Sequence, residues 1–368
     1  MSVSNFSALP TQAIDTLIQS TLAPHVQAID REGLFPREFM HALGNLGGFA
    51  AALPPTSGGL GLDLASQIDL ISQVARTCGS TAFLVWCQAT CAWYLQHSDN
   101  AAVQARYLRP VTQGRVLAGT GMSNAVKHLA GIERINLRAQ SDGNGYRING
   151  ALPWVSNLGP DHLLMAAAAL EDGGYLMFVV STDTAGLSLR PCPTFSGMEG
   201  SGTYGVRLKD VHISVEDVLA HPWQFEAYVE RFKRGFLLMQ TGMGAGLVQA
   251  SLETIHTSNQ RLSHVNCFLD NQEPSLGQEL LALQSDIAHL AAQGTEAPLL
   301  NVLRARARGS ELSLKATQSA ALHTGAAGYL ISSPVQRRLR EALFVAIVTP
   351  ALKHLRKEIN ALEALQAA

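Results

Sequence analysis

Two changes of texture constrain the fold of this chain more than any single motif. Up to about residue 114, apolar residues recur at three- to four-residue spacing. From about 115 to 222 the spacing drops to two, and beyond about 223 the helical period returns. Period decides which face an element can bury, so a chain ordered this way packs a strand unit between two helical ones. The expected class is α+β, with a helical domain over 1–114, a β domain over 115–222 and a helical bundle over 223–368. At 368 residues there is chain enough for such units and a large buried core.

Within the first unit, residues 13–28 and 39–46 carry the helical spacing. A loop rich in proline and glycine runs from Leu53 to Asp63, and Asp63 is placed to cap a helix over 64–76. The next helix, 81–96, is apolar nearly all round and should be buried on most sides. In the second unit Ile135, Leu137 and Ala139 alternate with polar residues, and the cluster from Ser141 to Gly145 reads as a hairpin turn before Tyr146. Runs at 163–170, 175–181 and 206–213 suggest roughly six to eight strands. In the third unit Gly242, Gly244 and Gly246 interrupt a helical pattern over 232–257, which calls for close approach of another helix or of a ligand. Patterns over 276–293, 299–324 and 334–367 complete a four-helix bundle. Pro334 suits a helix N-terminus, the run from Ala342 to Val348 has no titratable group, and Pro350 should end or kink the helix near Thr349.

Charge and cysteine content narrow the partners. A net charge of −2 favours neither nucleic acid nor an anionic membrane. The N-terminal residues show no basic stretch followed by an apolar one, so no secretory signal is expected. No apolar run approaches the ~18–20 residues that a membrane span needs. Five cysteines, an odd number, read as reduced thiols in a cytoplasmic protein. Cys87 and Cys91 lie four apart, but no second Cys/His pair follows, so they read as core thiols and no metal site is expected. The low charge and abundant alanine and glycine suggest much helix–helix surface, which fits an oligomer.

Local motifs then appear in a consistent order. Gly58, Gly59, Gly61 and Asp63 resemble a "GGLG" loop before a helix. The segment from Val116 to Asn124 stands at the place of a Thr-Glu-Pro strand and loop. Tyr146 to Asn157, with Asn149, Gly150, Trp154 and Asn157, is similar to "Y-x-L-N-G-x-K-x-W-I-T-N". Ser201 and Thr203 precede a strand that resembles "F-x-D-V-x-V"; Gly325 to Tyr329 resembles "GGxGY", and Pro334 to Ala342 resembles "P-V-E-R-L-x-R-D-A". Together, over essentially the whole chain, they resemble the acyl-CoA dehydrogenase superfamily. The resemblance implies an N-terminal helical domain, a central β-barrel and a C-terminal four-helix bundle. It implies a flavin, FAD with FMN as the alternative. Trp154 would wall the ring, Ser156 would offer its hydroxyl and amide, and Thr120, Met122 and Ser123 match positions along the isoalloxazine and pyrophosphate. The Gly325–Gly328 loop would pack on the adenine half of a flavin held by a neighbouring subunit, in a homodimer or homotetramer, and Arg261 would reach the pyrophosphate. The implied substrate is a small molecule, an acyl thioester on CoA or a carrier. An electron-transfer or flavin-reductase partner would complete the cycle.

The departures concern catalysis. Removing an α-proton while hydride leaves the β-carbon needs a base. At the family's glutamate position stands Thr349, and at the alternative position on the first bundle helix stands Phe236. The related flavin-dependent hydroxylases carry His-Asp-Pro where this chain has Val348, Thr349 and Pro350. A CoA-contacting arginine is replaced by Leu237, with Arg234 one turn earlier as a substitute; Leu152 and Leu322 stand for a lysine and a glutamine. His128, His264, His323 and His354 are candidates by residue type alone, each by default structural or solvent-exposed, with His323 expected nearest the cofactor. Three functions follow. The first is a flavin oxidoreductase acting on an acyl thioester, with Thr349 at the base position. The second is a monooxygenase or dioxygenase using O2 through a peroxyflavin, and the third is a flavin-binding subunit without activity.

Overall fold

The structure is a computed structural model that describes residues 9–171 and 173–367. The leader reading of the first residues therefore falls mostly outside what is described. Helices α1 (Thr11–Leu17), α2 (Val26–Arg31), α3 (Arg37–Asn45), α4 (Leu64–Thr77), α5 (Gly79–His97), α6 (Ala101–Val103) and α7 (Arg109–Thr112) come first. The expected helix over 13–28 is broken by a π turn at Ile18–Leu22 and a 3-10 turn at Ala23–His25, where Pro24 lacks the amide an α-helix needs. Asp63 caps α4 as expected, its carboxylate accepting from the Ser66 amide at 2.8 Å. Helix α5 is buried over nearly its whole circumference.

The strands are β1 (Ala118–Thr120), then, after helix α8 (Ser123–Leu129), β2 (Arg138–Ser141), β3 (Gly145–Val155), β4 (Leu163–Leu170), β5 (Tyr175–Ser181), β6 (Leu187–Pro191), β7 (Tyr204–Ser214) and β8 (Val218–Ala220). They form one eight-stranded sheet in the order β6-β7-β3-β2-β4-β5-β8, with β1 alongside β4. The β2–β3 hairpin is antiparallel, while β1 and β2 both pair with β4 in parallel. The sheet curls round a core of its own, built from Leu137, Ile148, Leu164, Phe178, Val206 and Val211 among others. No pairing between the end strands β6 and β8 closes it among the described residues, so the sheet is curled but open in its hydrogen bonds.

The last unit is α9 (Phe225–Asn266), α10 (Glu273–Gln293), α11 (Leu299–Thr324), α12 (Pro334–Ile347) and α13 (Leu352–Ala367). Pro350 splits the final pattern into α12 and α13, as its missing amide requires. Helix α9 is the spine of the molecule. A side chain at Gly246 would put a Cβ 2.2 Å from the Ser72 carbonyl oxygen, and one at Gly242 would sit 2.5 Å from that of Ile68, so both glycines let α4 lie against α9. Helix α12 is pinned to the N-terminal helices. Arg340 grips Asp30 with two bonds of 2.8 and 2.7 Å, Arg337 donates to the Thr77 carbonyl at 2.8 Å, and buried Glu341 accepts from the Gly79 amide at 3.0 Å. No described helix is long and apolar enough to cross a membrane.

Candidate active site

A cavity of about 900 Å³ opens where α5, α8, α9, α12 and the sheet meet. Its volume falls in the range of small-molecule and cofactor sites. One wall is aromatic. Phe344 meets Phe83 edge-on at 4.7 Å between ring centroids, Phe83 stacks on Trp86 at 5.7 Å, and Trp86 meets Phe236 at 5.2 Å. These rings come from three helices and are locked by packing, so the wall is preformed.

Facing this wall, β3 and β7 present Trp154 and a chain of hydroxyls. Ser156 Oγ lies 2.6 Å from Thr203 Oγ1, which lies 2.7 Å from Ser201 Oγ. Trp154 is 61% exposed although it stands over the cavity, with Phe195 edge-on at 6.4 Å. A large aromatic face left bare at a cavity is a surface prepared for a flat partner. On the third side Thr120 bonds the buried Tyr94 hydroxyl at 3.2 Å, and Met122 and Ser123 open α8.

The turn between α12 and α13 forms the floor. Thr349 Oγ1 lies 2.7 Å from Ser123 Oγ, and the Thr349 carbonyl accepts from Gln240 Nε2 at 2.9 Å. Gln240 in turn accepts from Arg306 Nε at 2.7 Å. Arg306 is fully buried, donates to the Val345 carbonyl at 2.8 Å and also bonds Ser310 Oγ. Burial, with no carboxylate beside it, pushes this guanidinium down to about 10. A buried cation thus holds the end of α12 through backbone oxygens.

The chain closely follows known proteins in both sequence and shape. A family model described as acyl-CoA dehydrogenase, N-terminal domain, matches residues 10–115. The probable acyl-CoA dehydrogenase YngJ of Bacillus subtilis is 24% identical over 367 aligned positions, covering 91% of this chain and 92% of its own. The structure of a glutaryl-coenzyme A dehydrogenase in complex with glutaryl-CoA superposes with a TM-score of 0.88 at 22% identity, covering 100% of this chain and 97% of that one. Residues 10–115 carry the acyl-CoA dehydrogenase N-terminal domain, and the whole chain has the acyl-CoA dehydrogenase fold. An acyl-CoA dehydrogenase from Bacillus anthracis complexed with FAD has the same fold, with a TM-score of 0.85 at 16% identity over 100% of this chain and 68% of that one.

Within this fold the chain brings Thr120, Met122, Ser123, Trp154, Ser156 and Thr349 to one cavity, although up to 229 positions separate them in sequence (349 − 120). Arg261, Gly325 and Gly328 do not line it. They stand at the far end of the bundle, where Ser258 and Asn266 of α9 both donate to the His323 carbonyl at the end of α11. Gly325 ends α11 at φ +64°, a backbone conformation that glycine adopts without strain. His323 is buried there with its Nδ1 on the Ser319 carbonyl, beside the glycine loop, and does not line this cavity. His264 is exposed, and His128 is bonded to the Tyr175 hydroxyl at 2.8 Å. It is His354 that lines the cavity. Arg234, the proposed substitute for the CoA arginine, is engaged by the Ala297 carbonyl at 2.8 Å and by Glu230 at 3.1 Å. The sequence reading passed over Phe83, Trp86, Glu133, Gln240 and Arg306. The one visible signal was Gln240, a lone amide in the apolar stretch of α9.

Proposed function

We propose that this protein is an FAD-dependent oxidoreductase that desaturates an acyl thioester, carried on CoA or on a carrier protein. The observation that carries the reading is the single cavity in which a bare tryptophan face and a hydroxyl chain stand opposite an aromatic wall. FAD is the flavin found in the Bacillus anthracis relative, and the residues here suit one. Trp154 would cover a ring face, and Ser156, Thr203 and Thr120 would supply hydroxyls at its polar edge. Met122 and Ser123 would lie beside it. Bound there, the flavin supplies a hydride acceptor. The chain's own part is to orient the acyl group, exclude water and take a proton. The walls from Phe83, Trp86, Phe236 and Phe344 hold an apolar acyl group and keep water out. Thr349 contributes shape rather than basicity, because its hydroxyl is shared with Ser123 and a neutral hydroxyl is a poor acceptor for a carbon-bound proton.

Arg261, Gly325 and Gly328 fit a second copy of the chain. Around them Val265, Phe268, Tyr329, Leu330 and Ile331 are exposed, an apolar face of the kind subunits cover. Light scattering on the purified protein should give a dimer or tetramer; a monomer overturns this part. The main test is spectroscopic. The purified protein should show flavin absorption, and an acyl-CoA added without oxygen should bleach it. No bleaching across a broad acyl-CoA panel overturns the reading. Isotope from 18O2 in a product would instead support the oxygenase reading, which the absence of a carboxylate at Thr349 and the apolar wall from Phe344 to Val348 favour.

A further inference from the structure

Hydroxyl groups ring the cavity, and the bonding of each decides whether it can donate to a ligand or accept from one. In two of these groups the direction is open. Ser156, Thr203 and Ser201 bond one another at 2.6 and 2.7 Å, and Ser123 bonds Thr349 at 2.7 Å. All five line the cavity, so each can turn its proton toward a neighbour or toward a ligand. Thr120 differs from these. It lines the cavity too, but its partner, the Tyr94 hydroxyl, belongs to a residue that does not.

A row of side chains on α5 fixes this pair. Gln88, Cys91 and Tyr94 are spaced by three, so they share one face of the helix. Gln88 is fully buried and donates to the Val111 and Val116 carbonyls at 3.0 and 2.9 Å. Its oxygen accepts from the Ala118 amide at 2.8 Å and from Asn157 Nδ2 at 3.0 Å. Cys91 donates to the Ala118 carbonyl at 3.5 Å. Strand β1 is thereby held in register on α5, and Thr120, on the same side of the strand as Ala118, meets Tyr94. The phenol is held as firmly. Phe232 packs on its ring edge-on at 4.6 Å between centroids, and the Tyr94 carbonyl accepts from the Tyr228 hydroxyl at 2.8 Å.

The direction of the bond follows from burial. Tyr94 is 0% exposed, and burial pushes its phenol well above the ordinary range, so it keeps its proton. Among the described residues Thr120 Oγ1, at 3.2 Å, is the one partner of that hydroxyl. Were Thr120 the donor, the phenol proton would be stranded in an aromatic interior, and a buried donor without an acceptor is costly. We infer that Tyr94 is a positioning residue: it donates to Thr120 and thereby turns the Thr120 proton into the cavity, toward the polar edge of a flavin. The inference rests on the flavin reading above and holds for either chemistry considered there. A donor fixed in this way favours the better acceptor. The reduced flavin is richer in electrons than the oxidised one, so the pair should hold the reduced form more tightly and raise the flavin potential.

The test reads the flavin potential and the urea midpoint of the FAD-loaded protein. Thr120→Val removes the donor, so the ratio of reduced to oxidised flavin at a fixed potential should fall about tenfold, a shift of about 30 mV to lower potential. Thr120→Ser keeps a hydroxyl and should stay close to native. Tyr94→Phe should give a smaller fall, about threefold, and no further fall once Thr120 is replaced by valine, because it acts through that one hydroxyl. Stability reports the direction of the bond independently. Thr120→Val strands the phenol proton and should lower the urea midpoint, and adding Tyr94→Phe should raise the midpoint again. A native potential in Tyr94→Phe, or a shift that adds to that of Thr120→Val, overturns the inference while leaving the flavin reading standing. So does a double variant no more stable than Thr120→Val. If Thr120→Val fails to fold, the potential of Tyr94→Phe decides alone. A purified protein that binds no flavin overturns both.

Discussion

The two halves of α12 are held in opposite ways. The first, from Pro334 to Glu341, is charged, and its partners are side chains and backbone of the N-terminal helices: Asp30, Thr77 and Gly79. The second is apolar, and its fastening is backbone: Arg306 on the Val345 carbonyl and, just past the helix end, Gln240 on that of Thr349. The ion pair ties the helix to its neighbouring domain, and through Arg340, which also donates to the Ser196 carbonyl at 3.0 Å, it reaches the rim of the cavity. Carbonyl bonds to buried side chains leave the outward residues, Leu343 and Ile347, free to be wall. One helix therefore joins the domain contact at its first half to the apolar wall at its second.

Substitutions should break the two halves differently. Arg306→Ala removes the donors of Val345, Gln240 and Ser310 and leaves a void, so urea unfolding should show a loss of about 3–5 kcal/mol together with weaker flavin retention. A loss with full flavin retention would mean that the second half does not shape the cavity. Asp30→Ala leaves Arg340 without its two-bond partner; a loss of about 2 kcal/mol is expected, with flavin content reduced less than in Arg306→Ala. Thr349→Val removes only the hydroxyl shared with Ser123, so stability should fall by about 1 kcal/mol and bleaching by less than about tenfold. A larger fall in bleaching would return Thr349 to a chemical role. The smallest effect concerns acid. Despite its burial, the Glu358 carboxyl is held below its ordinary 4.5 by His354, Lys233 and Lys357. Its contribution to stability is present above pH 4.5 and is lost as pH falls through the lowered value. Glu358→Gln should therefore flatten the acid limb of a stability–pH curve.

Local signals were legible because backbone sterics act over a few residues. The pattern over 299–324 has the bounds of α11, with Pro298 before it and Gly325 after it. Asp63 marked the start of α4, and Pro350 the break between α12 and α13. The three glycines of α9 foretold its close contact with α4 and α11, although not which helices would come. The parallel pairing of β1 and β2 with β4 was not legible, since nothing local distinguishes a parallel neighbour from an antiparallel one. Arg306 was passed over for a related reason. Charge on a helix usually means a solvated face, and only the packing of α9 and α12 on α11 buries this one.

The sequence by itself determined the elements, their order and the superfamily they resemble, and it put a threonine at position 349. The tertiary structure alone decided which groups share the cavity. It set Ser123 against Thr349, 226 positions apart, sent His323 to the far end of the bundle and turned His354 inward beside Glu358. Periodicity says which face of a helix is buried, but what that face meets depends on the packing of segments hundreds of residues apart. Chemistry at a site is a property of that meeting.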